Sequence, residues 1–171
     1  MIPILRITIA SLMLIISAAA SAMPFDEKSF NGSRGSWAIV PSNTYASFVK
    51  NWADEDQPVL CAVIKSPADW DAIFGSAAVM NSDRPFAPAA DFYSRANLLV
   101  VARVHTASSS TTSPFQVKAI KRYAHRTVMK YTYHAPPADE SFSIKDTLMV
   151  AVSKQKNKVR FIENGVKVCE K

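Results

Sequence analysis

Apolar residues in this chain fall mostly into short runs or alternate with polar ones, and one run differs from the rest. Leu98-Leu99-Val100-Val101-Ala102-Arg103-Val104 is short, rich in branched side chains and bounded by polar residues. That composition and length predict a strand over Asn97–His105 buried on both faces, rather than a helix. Downstream, Phe115, Val117 and Ala119 alternate with Gln116, Lys118 and Ile120, and Met129, Tyr131 and Tyr133 alternate with Lys130, Thr132 and His134. Alternation predicts strands with one face packed and one wet. Pro114–Tyr123 and Arg126–His134 stand at hairpin spacing, so they are expected to pair beside the central strand.

Upstream, Trp37–Val40 reads as a short strand ending at Pro41. Tyr45, Phe48, Val49 and Trp52 sit at helical spacing with Ser42 or Asn43 available as cap, while their β-forming side chains leave a bent strand open. Val59–Lys65 is a strand candidate with Val59, Cys61 and Val63 on one face. Ser66-Pro67-Ala68-Asp69-Trp70 carries a cap, a proline suited to the first helical position and acidic residues for the positive end of the dipole. Its buried stripe is Trp70, Ile73 and Phe74, and Gly75 is the expected stop. Ser76–Ala90 and the Ser/Thr-rich Thr106–Ser113 read as exposed connections, and Pro136-Pro137 opens another loop. Leu148, Val150 and Val152 mark a further strand, Val159 and Phe161 the next, and Asn164-Gly165 a tight turn into Val166–Cys169. These elements predict a single α+β domain over 37–171, mostly antiparallel sheet with one or two short helices packed on it.

The first residues change the picture of where the chain works. Arg6, the apolar Ile7–Ala20 and the small-x-small Ala20-Ser21-Ala22 predict a signal peptide over 1–22, cleaved near Ala22. An uncleaved membrane anchor is the alternative, since Ile2–Ala20 is nearly long enough to span. Cleavage gives a periplasmic or secreted protein touching the membrane only through that segment, with 23–36 as a flexible N-terminal arm. The two cysteines, Cys61 and Cys169, are then expected to form a disulfide; two unpaired thiols are the other reading. Charge is shared unevenly: Met23–Ser113 holds seven Lys/Arg against nine Asp/Glu, and Pro114–Lys171 twelve against five. A basic half can attract phosphate-rich lipid, acidic polymer or an acidic protein face, although solvated strand faces give the same composition.

Candidate chemistry is sparse. His105, His125 and His134 are the three histidines and show no metal-ligand spacing, so neither metal nor cofactor is expected. Sequential pairing of the three central strands would set His105 and His134 at one sheet edge, on either side of Phe115. Ser47-x-x-Lys50 and Ser153-x-x-Lys156 match the core of penicillin-recognising enzymes, but no Ser-Asp-Asn or Lys-Thr-Gly accompanies them. There is no Gly-x-Ser-x-Gly, and the four glycines form no phosphate-cradling loop. An enzyme is therefore not expected. Lys118, Lys121, Arg122, Arg126 and Lys130 flank one predicted hairpin with Tyr123 and Tyr131 interleaved, and form the candidate binding surface. Such a pattern can track a nucleic-acid strand, but export argues for an anionic envelope component or an acidic protein instead. Lys154, Lys156, Lys158 and Arg160 make a second basic turn.

The order of a strand running into Ser-x-x-x-Trp (Val59–Trp70), Asp91-Phe92 ahead of Leu98–Val104, a hairpin, and a proline-containing loop before Leu148–Val152 resembles the C-terminal domain of the bacterial protease-complex subunit PrcB. The resemblance spans roughly Trp37 to Ile162. It implies an exported, non-catalytic β-rich domain that supports assembly with another protein, and it assigns no functional residues. The expected function is accordingly a protein-interaction domain that assists or modulates an envelope enzyme or complex, an inhibitor or immunity protein included. A binder of an anionic small molecule, lipid headgroup or cell-wall polymer is the alternative, and a hydrolase with an unrecognised site the third.

Overall fold

The computed structural model describes residues 25–33, 35–77, 83–109 and 112–171; the expected signal peptide lies outside them. In chain order the elements are β1 (Trp37–Val40), β2 (Ser47–Val49), β3 (Leu60–Ile64), α1 (Pro67–Ile73), β4 (Phe74–Ser76), α2 (Phe92–Arg95), β5 (Ala96–Thr106), β6 (Phe115–Arg122), β7 (Arg126–Tyr133), β8 (Ser143–Ser153), β9 (Lys158–Glu163) and β10 (Val166–Glu170). They form an α+β domain dominated by antiparallel sheet. No helix among the described residues is long and apolar enough to cross a membrane.

The first sheet has the order β1-β8-β5-β3, antiparallel throughout, and Leu98 to Ala102 on β5 have no exposed surface. Side chains alternate across a strand, so a run that is apolar at every position needs cover on both sides. Leu98, Val100 and Ala102 pack with Ala62, Ile64, Met149 and Ala151 under Trp70, Phe74, Phe92, Tyr45 and Trp52. Leu99 and Val101 pack with Cys61, Leu148, Val150 and Val152 against Phe115, Met129, Tyr131, Val159 and Phe161 of a second sheet. That second sheet has the order β10-β9-β7-β6, with β7 and β9 parallel. Three layers result, and each fully buried Leu or Val of β5 contributes about 1.5–3 kcal/mol.

This arrangement corrects the expectation that the 115–134 hairpin pairs beside the central strand. The neighbours of β5 are β3 and β8, while β6 and β7 pair with each other across the core. The physical reason is the burial of both faces of β5: the amphipathic hairpin is worth more as a lid over Leu99 and Val101 than as an edge strand. The connection from β5 to β6 is long enough to reach the other layer. His105 and His134 therefore do not share an edge.

Local signals behave as their chemistry dictates at several points. Ser66 Oγ accepts the Asp69 amide at 3.2 Å, Pro67 sits in the first turn, and Trp70 and Phe74 are buried. Gly75, however, does not stop the helix: Phe74 caps it in extended geometry, and Gly75 lies in β4 opposite Phe48. A Cβ at Gly75 would fall 2.8 Å from the Phe48 ring, so glycine is there for the ring above it. The 45–52 segment takes the strand alternative, because Tyr45, Val49 and Trp52 are buried while Phe48 is 53% exposed. The second helix is α2, where Asp91 bonds the Arg95 side chain at 2.8 Å. At the other end of the chain, Asn164 and Gly165 both take positive φ in the β9–β10 turn.

The segment expected to be a flexible arm is docked over 25–33. Phe30 is buried, its ring 6.4 Å from Phe25 and 6.3 Å from Phe92. Arg95 donates to the Phe30 and Glu27 carbonyls, and Glu27 accepts from the Tyr45 hydroxyl at 2.6 Å. Polarity misled here because two phenylalanines and one carboxylate were enough to anchor the segment.

Cys61 on β3 and Cys169 on β10 form a disulfide across 108 residues, joining the two sheets along one side. Such a bond is compatible with an oxidising compartment. In the chain-entropy model a loop of that length adds about 4–5 kcal/mol. The paired variant Cys61→Ser/Cys169→Ser is expected to unfold at a lower denaturant midpoint by roughly that free energy with the fold retained. A midpoint unchanged under reducing and oxidising conditions would show that the bond adds nothing.

Candidate functional site

The inner side of the second sheet is set by Met129, Tyr131, Val159 and Phe161, all buried, so the residues between them point outward. Register places the outward residues in rows. Arg126 is opposite Lys158, Val128 opposite Arg160, and Lys130 opposite Ile162 across the parallel β7–β9 pair. Lys121 faces Val128 from β6, and Lys167 and Glu170 of β10 face Ile162 and Arg160. The result is one broad face carrying Lys118, Lys121, Arg126, Lys130, Lys158, Arg160 and Lys167, with Glu170 as its carboxylate. Among the described residues the ion pairs on this face both go to Glu170, from Arg160 at 3.2 Å and Lys167 at 3.1 Å.

A bulge at Lys118 shifts the alternation of β6. Ile120, opposite Met129, turns to the core and Ala119, opposite Lys130, turns out, reversing the parity read from sequence. The same shift takes Arg122 off the outer face. Its Nη2 donates to the Ser153 carbonyl at 2.9 Å and to Lys154, tying β6 to the end of β8. Four of the five basic residues read from sequence thus share the outer face, and the fifth is a tie between sheets. Lys158 and Arg160 of the second basic turn join the face, whereas Lys154 donates to the Tyr93 carbonyl and is structural. Lys167 has no local sequence signal for this face, because its orientation depends on the β10 register, which the Lys167/Cys169 bulge sets.

One corner of the face is concave. Tyr123, Ala124, His125, Arg126, Lys158 and Glu170 line an open cleft of about 550 Å³. The Arg126 guanidinium sits over the Tyr123 ring, 5.7 Å from its centre. Asn157 Nδ2 holds the turn by donating to the Tyr123 carbonyl at 3.2 Å. A second cleft, about 640 Å³, lies at the other end of the hairpin between Thr112–Gln116 and His134–Pro137.

Reactive side chains do meet elsewhere, partly buried at the margin between the two sheets. Arg103 bridges β5 to Glu163 on β9, also donating to the Pro58 carbonyl at 3.1 Å, and its guanidinium lies 5.3 Å from the Tyr133 ring centre. His105 Nε2 stands 3.7 Å from Asp146, and its Nδ1 lies 2.7 Å from the Thr106 carbonyl oxygen. The Tyr131 hydroxyl is buried beside Glu163, short of hydrogen-bond geometry, and burial, then that charge, raises its pKa. Neither Ser-x-x-Lys pair is at a helix start: Ser47 opens β2 and Ser153 is buried at the end of β8. Among the described residues no group of three or more His, Cys, Asp or Glu could hold a metal ion. No protein-family model, curated protein or solved structure matches this chain.

The Lys167 ammonium, and after it Arg160, hold the Glu170 pKa below the usual carboxylate value against a smaller opposing effect of desolvation. A depressed folded pKa means that this carboxylate stabilises the fold above its unfolded pKa and stops doing so as pH falls through the folded one. A carboxyl NMR titration should therefore place Glu170 below a free glutamate, and Lys167→Ala should move it back up. A normal midpoint in the unmodified chain would contradict the ion pairs.

Proposed function

We propose that this is an exported, non-catalytic binding domain that engages an anionic component of the cell envelope through the outer face of its second sheet. The observation that carries the reading is the Arg126–Lys158 pair within the cationic rows. Like charges opposite one another on neighbouring strands repel, a cost that the Tyr123 ring under Arg126 offsets only modestly, so an anionic partner gains from the placement. The disulfide favours an oxidising compartment, and the expected signal peptide supplies the route to it. The resemblance to the PrcB C-terminal domain would imply a role without chemistry. A protein partner is the second reading, favoured by Phe48 and Phe86, exposed at 53% and 54%.

Two triple variants of equal net charge separate site from bulk charge. Lys118→Gln/Lys121→Gln/Lys130→Gln removes cations from the face, and Lys28→Gln/Lys50→Gln/Lys65→Gln removes as many elsewhere. Retention on an anionic matrix at graded salt should fall clearly for the first and hardly for the second, since exposed charge interactions are screened beyond about 10 Å at 0.1 M salt. Equal losses would reduce the face to ordinary solvated charge.

A further inference from the structure

We infer that the anionic partner is a linear polyanion, one group of which enters the cleft between the Tyr123–Arg126 turn and Lys158 while its chain continues across the sheet face. The inference rests on the binding-face reading above and narrows it to one kind of partner.

Shape gives the first reason. The cleft of about 550 Å³ admits a single charged unit, a phosphate or an acidic sugar, that a flat surface cannot deliver into it. Its cations are already placed: Arg126 rests over the Tyr123 ring and Lys158 is its direct cross-strand partner, so an anion between them relieves a repulsion. Glu170, the one carboxylate in the lining, is already paired with Arg160 and Lys167. Tyr123 is half exposed and offers ring surface to a sugar or an alkyl spacer.

Spacing gives the second. From Arg126 and Lys158, the next outward positions along the strands lead to Arg160 and Lys121, and the following ones to Lys130 and Lys167. Rise along a strand puts successive rows about 7 Å apart, a step that a chain with one charge per repeat can match. Val128 and Ile162 lie between these long side chains, Val128 only 7% exposed. Apart from Tyr123 at the cleft, the described rows of this face therefore carry no protruding apolar group of the kind that holds a protein in a bilayer interface. Five of its seven cations are lysines, a residue depleted at protein–protein interfaces.

The test compares long-chain inorganic polyphosphate and polygalacturonate with triphosphate and monomeric galacturonate, and with phosphatidylglycerol/phosphatidylcholine vesicles, at equal charge concentration and fixed salt. At least one long chain should bind about 100-fold or more tightly than its short counterpart, as linked contacts allow. Arg126→Gln/Lys158→Gln should cost that chain at least about tenfold, and Lys28→Gln/Lys65→Gln much less. Equal binding of long and short anions, or of vesicles and polymer, overturns the inference while leaving the anionic-face reading in place. Absence of charge-dependent binding to every probe overturns both.

Discussion

A strand that is apolar at every position has no side to show to water, and Leu98–Ala102 imposes that condition on everything around it. One face of β5 is closed by α1, α2, the β2–β4 ribbon and the docked 25–33 segment; the other is closed by the second sheet. The cationic surface follows from this. The strands recruited as a lid need an apolar inner face, and the alternation that supplies it leaves their outer face free for charge.

Polar groups inside the sandwich sit toward its two ends. Asn97, Thr127 and Gln155 form one buried set, with Asn97 Nδ2 donating to the Gln155 carbonyl at 2.8 Å and Thr127 bonding the Gln155 side chain. Arg103 and Glu163 form the other, crossing between the sheets. Glu163 is buried and Arg103 only partly so, and losing the arginine would strand the carboxylate without its counter-charge. Such pairs fix how one sheet sits on the other, and with it the alignment of β9 beside β7 that creates the rows of cations.

Much of this was readable in the sequence where the signal is local. The all-apolar run gave β5, the Ser66-Pro67 start gave α1, and Asn164-Gly165 gave the last hairpin. Which sheet a strand joins is not local. The patterns of β6 and β7 describe amphipathic strands equally well beside β5 or across from it, and the parallel β7–β9 pairing joins residues over thirty positions apart. The candidate surface was legible in part for the same reason. Lys118, Arg126 and Lys130 follow from alternation, whereas the bulge at Lys118 reverses what comes after it, turning Lys121 outward and Arg122 off the outer face.

Backbone hydrogen exchange tests the central role of β5 most directly. With both faces covered and neighbours on both edges, the amides of Leu98 to Ala102 should be released only by global unfolding, and so exchange as slowly as any in the molecule. Those of the edge strand β10 should exchange sooner. Leu98–Ala102 amides that exchange as fast as those of β10, through local opening, would contradict a domain built around that strand.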